Sequence, residues 1–284
     1  SFNNPFYFFG PFHRAHVGDD YLSTHDNLTF EEVRDLALYI ATTDSFGGGG
    51  NPWQFVSDDF CAAVESAGAI SERQAALELL DAWDGHFVAG GPVEWRKGTN
   101  RSDAWILMDA WICEVLRLTF EDELTFFGEA DGETSYARES RNRLFNVLLH
   151  GLAGDDSGIE NTYDWFTNEK DPTAPQDPDA IIVQALDNVL AENSLDERPW
   201  GEDLRGEIPY THDMLDKIWS MPFASRSTYA HCVEFGPYGP ERIESMFPLG
   251  ESGNIDINMN FDDHFFSMTP DFDPFEPRDF PTFD

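Results

Sequence analysis

Apolar residues recur at intervals of three and four positions in several stretches of this 284-residue chain. That spacing puts them on one face of a helix, so each stretch predicts an amphipathic helix that packs against a core. In one of them, Trp53, Val56, Phe60 and Val64 share a face. The predicted helices cover about 30–41, 52–64, 71–83, 103–116, 138–152 and 178–190.

Polar residues mark where some of these helices begin. Thr29 with Glu32, and Ser71 with Gln74, have the spacing of a capping box, in which the first side chain caps the helix and the second reaches back. Asp177-Pro178 combines a cap residue with a proline at the first helical position. We therefore expect Thr29, Ser71 and Asp177 to be N-caps.

The pattern changes after Trp200-Gly201. Residues 226–235 and 242–247 are short runs of strand-forming residues separated by Gly and Pro, which predicts two paired strands. Helices followed by a few late strands indicate the α+β class. Outside these elements, we expect an extended start with a short helix or loop, a surface excursion over 153–178 and a wrapping tail from Asn254.

The charge is strongly acidic, with 54 Asp and Glu against 17 Lys and Arg, a formal net charge of −37. Hydrophobic residues still make up 41% of the chain, enough for a folded core. Such charge disfavours binding to nucleic acids or anionic membranes, which requires clusters of Lys and Arg. It favours a solvated acidic surface and a saline, periplasmic or extracellular setting. No apolar run reaches membrane-spanning length, and no signal peptide opens the chain.

Three cysteines, Cys61, Cys113 and Cys232, allow one disulfide at most. Their apolar surroundings predict small buried side chains. Their redox state stays open at this stage.

The first residues carry the clearest candidate chemistry. Ser1 has a free α-amino group beside its own hydroxyl, as in N-terminal-nucleophile catalysis, and Asn3 has an amide that can donate to an oxyanion. On the residues alone, an active site includes Ser1, Asn3 or neither. Ser252 lacks the G-x-S-x-G setting of a nucleophile elbow. His13 and His16 near two aspartates are a weak metal-ligand pattern, and solvated side chains are the ordinary interpretation.

Several motifs, in order along the chain, resemble the penicillin acylase family of N-terminal-nucleophile amidohydrolases, which also includes acyl-homoserine-lactone acylases. Residues 79–85 resemble its L-x-x-W-D-G helix end, and residues 248–253 resemble its P-G-Q-S-G loop. Further similarities are Phe2-Asn3-Asn4-Pro5 with its Asn-Asn segment, residues 28–33 with its LT-x-E helix, Trp200-Gly201 with its W-G turn, and Phe261-Asp262-Asp263-His264 with Met268 and Phe272 with its Y-x-D-Q segment and aromatic tail.

The resemblance implies that this chain is the C-terminal part of a β-chain with the Ntn-hydrolase αββα fold. It implies an extended segment over 1–28 that joins the catalytic core, a helical region over 29–200, and strands with a wrapping tail over 201–284, all within one larger domain.

The resemblance also assigns the candidate site. The family's nucleophilic serine lies well upstream of its Asn-Asn segment, so the register implies that Ser1 is not the nucleophile. Asn3 would be the oxyanion asparagine and Arg14 a supporting residue. His16 departs from the second arginine that the family usually shows, which puts a positioning role there in doubt.

As partners, the resemblance implies an upstream α-chain and a nucleophile-bearing β segment from the same precursor, together with a small acyl-amide substrate. It implies no cofactor in this chain, with calcium belonging to the upstream part. The acyl group stays open among β-lactam side chains, lactone acyl tails and other amides. Two alternatives are a non-catalytic structural or assembly subunit and a shortened enzyme that uses Ser1 itself.

Overall fold

The structure is a computed structural model that describes most of the helical part of the chain and parts of the rest. The described residues are 10–43, 50–68, 70–91, 100–124, 135–158, 163–168, 170–171, 173, 176–202, 207–212, 216–222, 230–246 and 278–279.

Helices dominate the described residues, and strands follow them in the chain. The α-helices are α1 (Arg14–Thr24), α2 (Phe30–Thr42), α3 (Trp53–Ala67), α4 (Ser71–Asp81), α5 (Asp103–Phe120), α6 (Ser135–Ala153) and α7 (Pro178–Glu192). Short 3₁₀ turns follow at Gly154–Ser157 and Leu195–Glu197. The order of elements confirms the α+β prediction. The division at residues 28 and 200 stays a prediction.

The core lies where α3, α5, α6 and α7 meet, with α4 packed alongside. The face predicted for α3 is the buried one, because Trp53, Val56, Phe60 and Val64 are all buried. The helical spacing alone was enough to identify that face. The largest fully buried side chains are Trp111, Phe60, Phe87, Phe120, Phe145, Leu80, Leu107, Met108, Ile112, Leu148 and Ile182.

One of the two capping boxes is confirmed and the other is wrong. The Thr29 hydroxyl accepts from the Glu32 backbone N–H at 3.3 Å, and the Glu32 carboxylate accepts from the Thr29 N–H at 2.7 Å. At α4 the N-cap is Ile70, with no side-chain cap, and Ser71 is already the first helical residue. Asp177 caps α7 as predicted, accepting from the Asp179 N–H at 3.2 Å.

The contrast predicts different costs for two similar substitutions. Thr29→Ala removes the hydroxyl that caps α2 and leaves the Glu32 N–H without that acceptor. We therefore expect a loss of about 1 kcal/mol in the free energy of unfolding. Ser71→Ala serves as the matched control and should change it by less than about 0.5 kcal/mol. Urea denaturation measures both, and equal effects would contradict the assignment of the caps.

The described strands form two antiparallel sheets. β1 (Glu207–His212) pairs with β2 (Asp216–Pro222), a hairpin that the sequence did not indicate. β3 (Ala230–Gly236) pairs with β4 (Gly239–Met246), which confirms the predicted pairing. β3 begins later than the predicted run over 226–235, and β4 begins earlier than the predicted run over 242–247. β5 (Arg278–Asp279) adds to β4.

A buried carboxylate joins α2 to the second sheet. Glu244 on β4 is almost fully buried, and its carboxylate accepts from Arg34 of α2 at 3.0 Å and from Arg242. Arg242 also donates to Glu31 at 2.6 Å and lies over the Phe30 ring at 4.0 Å. Two guanidinium groups thus compensate one buried negative charge, which would be costly without them.

Two expectations about burial need correction. Cys113 is exposed because it lies on α5 on the side away from Ile112 and Val115, and Cys61 and Cys232 are only half-buried; none of the three forms a disulfide. Only part of the predicted surface excursion over 153–178 lies at the surface, because Trp165 and Phe166 pack against the core cluster. Burial of these large apolar rings is favourable even though the residues around them are polar.

In the part of the chain that the structure describes, no helix is both long and apolar enough to cross a membrane.

Candidate functional site

The structure describes only some of the candidate residues near the start of the chain. Ser1 and Asn3 lie outside the described residues, as do Ser252 and the segment from Phe261 to His264. Arg14 is the first residue of α1, and only its backbone is described. The described structure therefore shows how the segment between Asn3 and Arg14 is held at Gly10 to Phe12.

Phe12 anchors this segment in the core. Its side chain is 3% exposed and meets the rings of Phe55 on α3 and Phe145 on α6 edge-on, with centroids 5.7 and 5.0 Å away. Its backbone is held by the Asn146 side chain: the Phe12 N–H donates to Asn146 Oδ1 at 3.0 Å, and Asn146 Nδ2 donates to the Phe12 carbonyl at 3.1 Å. The Phe12 ring is therefore buried, and both backbone polar groups of Phe12 are hydrogen-bonded inside the fold.

Gly10, two residues before Phe12, lies against the same Asn146 side chain. A Cβ built on Gly10 would lie 2.2 Å from Asn146 Oδ1, far inside van der Waals contact. Asn146 is itself buried and cannot move away without losing its hydrogen bonds. Glycine is therefore required at position 10.

The two histidines of α1 have structural contacts. His13 is the N-cap, and its Nδ1 accepts from the His16 N–H at 3.3 Å. The His16 ring lies 5.1 Å from the Phe55 ring. Within the described ranges, no group of three or more His, Cys, Asp or Glu side chains is placed to hold a metal ion. The weak metal pattern around His13 and His16 is thus not assembled.

The L-x-x-W-D-G motif forms a tight turn after α4. Trp83 is buried, and its indole N–H donates to the His86 carbonyl at 2.8 Å, while Asp84 accepts from the His86 N–H at 3.0 Å. Gly85 has a φ of 81°, and a Cβ there would lie 2.8 Å from the Asn51 Cβ. Trp83, Asp84 and Gly85 therefore each stabilise or permit the conformation of the turn.

His86, which sequence reasoning missed, is the buried polar centre of this turn. Its Nδ1 is hydrogen-bonded to the Thr42 hydroxyl at 2.9 Å, and the Tyr39 ring meets it edge-on at 4.9 Å. Burial lowers the pKa of His86, although Asp84 opposes the shift, so the imidazole is neutral at pH 7. Burial also raises the pKa of Tyr39. The available signal was the position of His86 directly after the W-D-G motif.

The Trp200-Gly201 turn is attached to the start of α5. The Trp200 N–H donates to Asp103 at 2.8 Å, and the Gly201 carbonyl accepts from the Arg101 N–H at 3.1 Å. A Cβ on Gly201 would lie 2.0 Å from the Arg101 carbonyl oxygen, so only glycine fits. The Arg101 guanidinium lies over the Phe87 ring at 4.5 Å, and burial lowers its pKa to about 10, which leaves it charged at neutral pH.

A carboxyl with a near-neutral pKa lies at the end of α5. Burial, and next a hydrogen bond with Asp122, raise the pKa of Glu123 to about 7. The Tyr163 hydroxyl donates to Glu123 at 3.3 Å. The Glu123 carboxyl therefore titrates near neutral pH.

Comparison with known proteins identifies the class and then the family. A family model described as penicillin amidase, a family of amidohydrolases, matches residues 2–272. The chain belongs to the penicillin amidase family, and the resemblance found in the motifs is confirmed. The comparison with curated proteins gave no match.

Among solved structures, the chain is similar to a thermostable penicillin G acylase from Alcaligenes faecalis. The TM-score is 0.61 at 16% sequence identity, and the match covers 97% of this chain and 50% of that chain. At this identity the likeness shows the fold, which is that of an Ntn hydrolase, in agreement with the predicted fold class. The chain spans about half the length of that relative.

Proposed function

We propose that this chain is the C-terminal part of a penicillin-acylase-like amide hydrolase whose nucleophile lies on another segment. The observation that carries the proposal is the family match, which begins at residue 2, next to the Asn-Asn segment, and continues to residue 272. The chain spans about half of the similar penicillin G acylase. That proportion is compatible with a second half that supplies the nucleophile.

In the proposed reaction, the hydroxyl oxygen of an N-terminal serine on that other segment attacks the carbonyl carbon of an acyl amide. The serine's own α-amine takes the hydroxyl proton and passes it to the leaving nitrogen as the C–N bond breaks. Water then attacks the acyl-enzyme and releases the carboxylic acid. Asn3 donates an amide N–H to the oxygen that becomes negative in both tetrahedral intermediates.

The anchoring of residues 10–12 supports this assignment. Gly10 follows Asn3 by seven residues, which span at most about 25 Å when fully extended. Arg14 follows Phe12 by two residues, at the first turn of α1. The backbone of Phe12, two residues before Arg14, is held in the core by Asn146.

We further propose that the second half consists of an α-chain and a nucleophile-bearing β segment from the same precursor, and that any calcium binds there. This chain would need no cofactor. The net charge of −37 supports an extracytoplasmic or saline setting, because it favours solubility where salt screens self-repulsion. We propose a periplasmic or extracellular location on that basis.

Covalent labelling tests the proposal. The protein is purified with everything that accompanies it, treated with phenylmethylsulfonyl fluoride, and examined by intact mass and N-terminal sequencing. We expect the label on a co-purifying polypeptide that begins with Ser, and loss of amidase activity in parallel. Label on Ser1, or full activity of the isolated 284-residue chain, would contradict the assignment.

One observation favours the alternative of a non-catalytic structural subunit. His16 occupies the position where the family usually shows a second arginine, and its ring packs beside Phe55. The same experiment discriminates the two, because a structural subunit would purify without any labelled nucleophile and without amidase activity.

A further inference from the structure

We propose that His86 is an acid-sensitive switch: it holds the turn after α4 against α2 near neutral pH and opens that turn under mildly acidic conditions. The switch is independent of the proposed hydrolase reaction, which does not use this buried side chain. It is a conformational property of the described fold.

The turn around His86 joins three helices. The Phe87 N–H donates to the Thr42 carbonyl at the end of α2 at 3.1 Å, and the Phe87 carbonyl accepts from the N–H of Ser102, the N-cap of α5, at 3.1 Å. On the α4 side, the Trp83 indole N–H donates to the His86 carbonyl. Opening of this turn therefore loosens the contacts among α2, α4 and α5.

The hydrogen bonds of Thr42 fix the tautomer of His86. The Thr42 hydroxyl lies 2.9 Å from the Leu38 carbonyl oxygen and 3.2 Å from the Tyr39 carbonyl oxygen, and a carbonyl can only accept. The single hydroxyl proton goes to these carbonyls, so the Thr42 oxygen accepts from His86 Nδ1–H at 2.9 Å. The neutral imidazole thus carries its proton on Nδ1, and acid must add the second proton at Nε2.

The Nε2 side of the ring lies in a nearly closed site. His86 is 3% exposed, and the Tyr39 ring meets it edge-on at 4.9 Å. Gly91 lies so close that a Cβ there would be 3.3 Å from His86 Cδ2, the carbon bonded to Nε2. Among the described residues, the ring is hydrogen-bonded through Nδ1 alone. A charge on this ring is therefore poorly compensated while the turn is closed.

The titratable groups around the ring offset this cost only in part. Asp84, on the turn itself, is the described charge that favours protonated His86, and its carboxylate already accepts from the His86 backbone N–H. Tyr39 on α2 stays neutral because burial raises its pKa, and Asp20 and Tyr21 of α1 act on Tyr39 in the same direction. Burial outweighs Asp84, so the pKa of His86 lies below its ordinary value.

The sign of this shift makes the closed turn less stable as the pH falls. The open turn binds a proton at His86 once the pH drops through about 6.5, the ordinary value of an exposed histidine, while the closed turn still excludes that proton. Opening is then favoured by up to about tenfold for each pH unit, until the closed turn also binds the proton. Above about pH 7 the ring is neutral in both states and the turn stays closed.

Hydrogen exchange at the Phe87 amide measures the opening in the complete protein with its co-purifying chains. Between about pH 7.5 and about pH 5.5, we expect the protection factor of this amide, which corrects for the intrinsic pH dependence of exchange, to fall about fivefold or more. The Ile182 amide in the buried part of α7 is the internal reference and should change by less than about twofold.

His86→Asn is the test variant, because the amide N–H of asparagine takes the place of Nδ1–H and does not titrate. It should remove the fall in Phe87 protection. His25→Asn is the matched control, since His25 is an exposed histidine whose Nδ1 is hydrogen-bonded to the Tyr21 carbonyl at 2.9 Å. This variant should keep the wild-type pH dependence.

A measurement on the wild-type protein decides the matter even if His86→Asn does not fold. With ¹⁵N-labelled histidine, the His86 ring, identified by its nuclear Overhauser contact with the Tyr39 ring, should show the Nδ1–H tautomer and should protonate only below about pH 6.5. An Nε2–H tautomer or protonation at a higher pH would overturn the proposal. So would an equal fall in Phe87 protection in the wild-type protein and in His86→Asn.

Discussion

Replacing Asn3 with alanine is expected to lower kcat by about 10²–10³-fold and to leave folding intact. The loss of one oxyanion donor removes about 3–4 kcal/mol of transition-state stabilisation, because the amide acts on charge that develops only during the reaction. Steady-state kinetics with an acyl amide substrate measures the effect on the complete protein. Since the donor acts mainly on the transition state, kcat and kcat/KM should fall by similar factors.

The neighbouring asparagine provides the matched control for Asn3. Asn4→Ala removes the same side chain one position along the chain and should retain kcat within about twofold, since the family assignment falls on Asn3. Thermal unfolding should be the same in both variants. A wild-type kcat in Asn3→Ala, or an equal loss in Asn4→Ala, would remove Asn3 from the site.

The largest expected effect on stability comes from Trp111→Ala, at about 3–5 kcal/mol in the free energy of unfolding. Trp111 on α5 is fully buried, its ring lies 4.9 Å from that of Phe60 on α3, and its indole N–H donates to the Ile182 carbonyl on α7 at 3.1 Å. Truncation would open a cavity between three helices and leave a buried carbonyl without that donor. Urea denaturation measures the loss.

Two variants bracket the Trp111 result. Trp111→Phe keeps most of the apolar volume and should cost less than alanine does. Tyr238→Ala, at the fully exposed tip of the β3–β4 hairpin, should change stability by less than about 0.5 kcal/mol. A small effect of Trp111→Ala would contradict the burial of this ring against Phe60 of α3 and Ile182 of α7.

Most of the helices were predictable because helical burial repeats along the sequence. The buried residues of α3 and of α7 are those whose spacing placed them on one face. The paired strands β3 and β4 were predictable in the same way, from strand-forming runs around a Gly-Pro turn. The N-cap predicted for α4, Ser71, is wrong by one residue, because the N-cap is Ile70. A local sequence pattern does not fix a helix boundary to within one residue.

The candidate site was predicted only through its motifs. The order of the Asn-Asn segment, the W-D-G turn and the later loops indicated the family, and the assignment of Asn3 and Arg14 that the resemblance implies stays a prediction. Nothing local distinguishes Asn146 from the other polar residues of α6. Its partner Phe12 lies 134 positions earlier in the chain.

The sequence by itself determined the class of the fold, the buried faces of its helices and its membership of the penicillin amidase family. These follow from periodicity and from short motifs, which are properties of neighbouring residues. Only the tertiary structure decided that Asn146 holds the backbone of Phe12, that His86 is a buried neutral group beneath the W-D-G turn, and that Glu244 joins α2 to the sheet. Each of these depends on hydrogen bonds or charges between distant parts of the chain, and such pairings form only when the core brings their partners together.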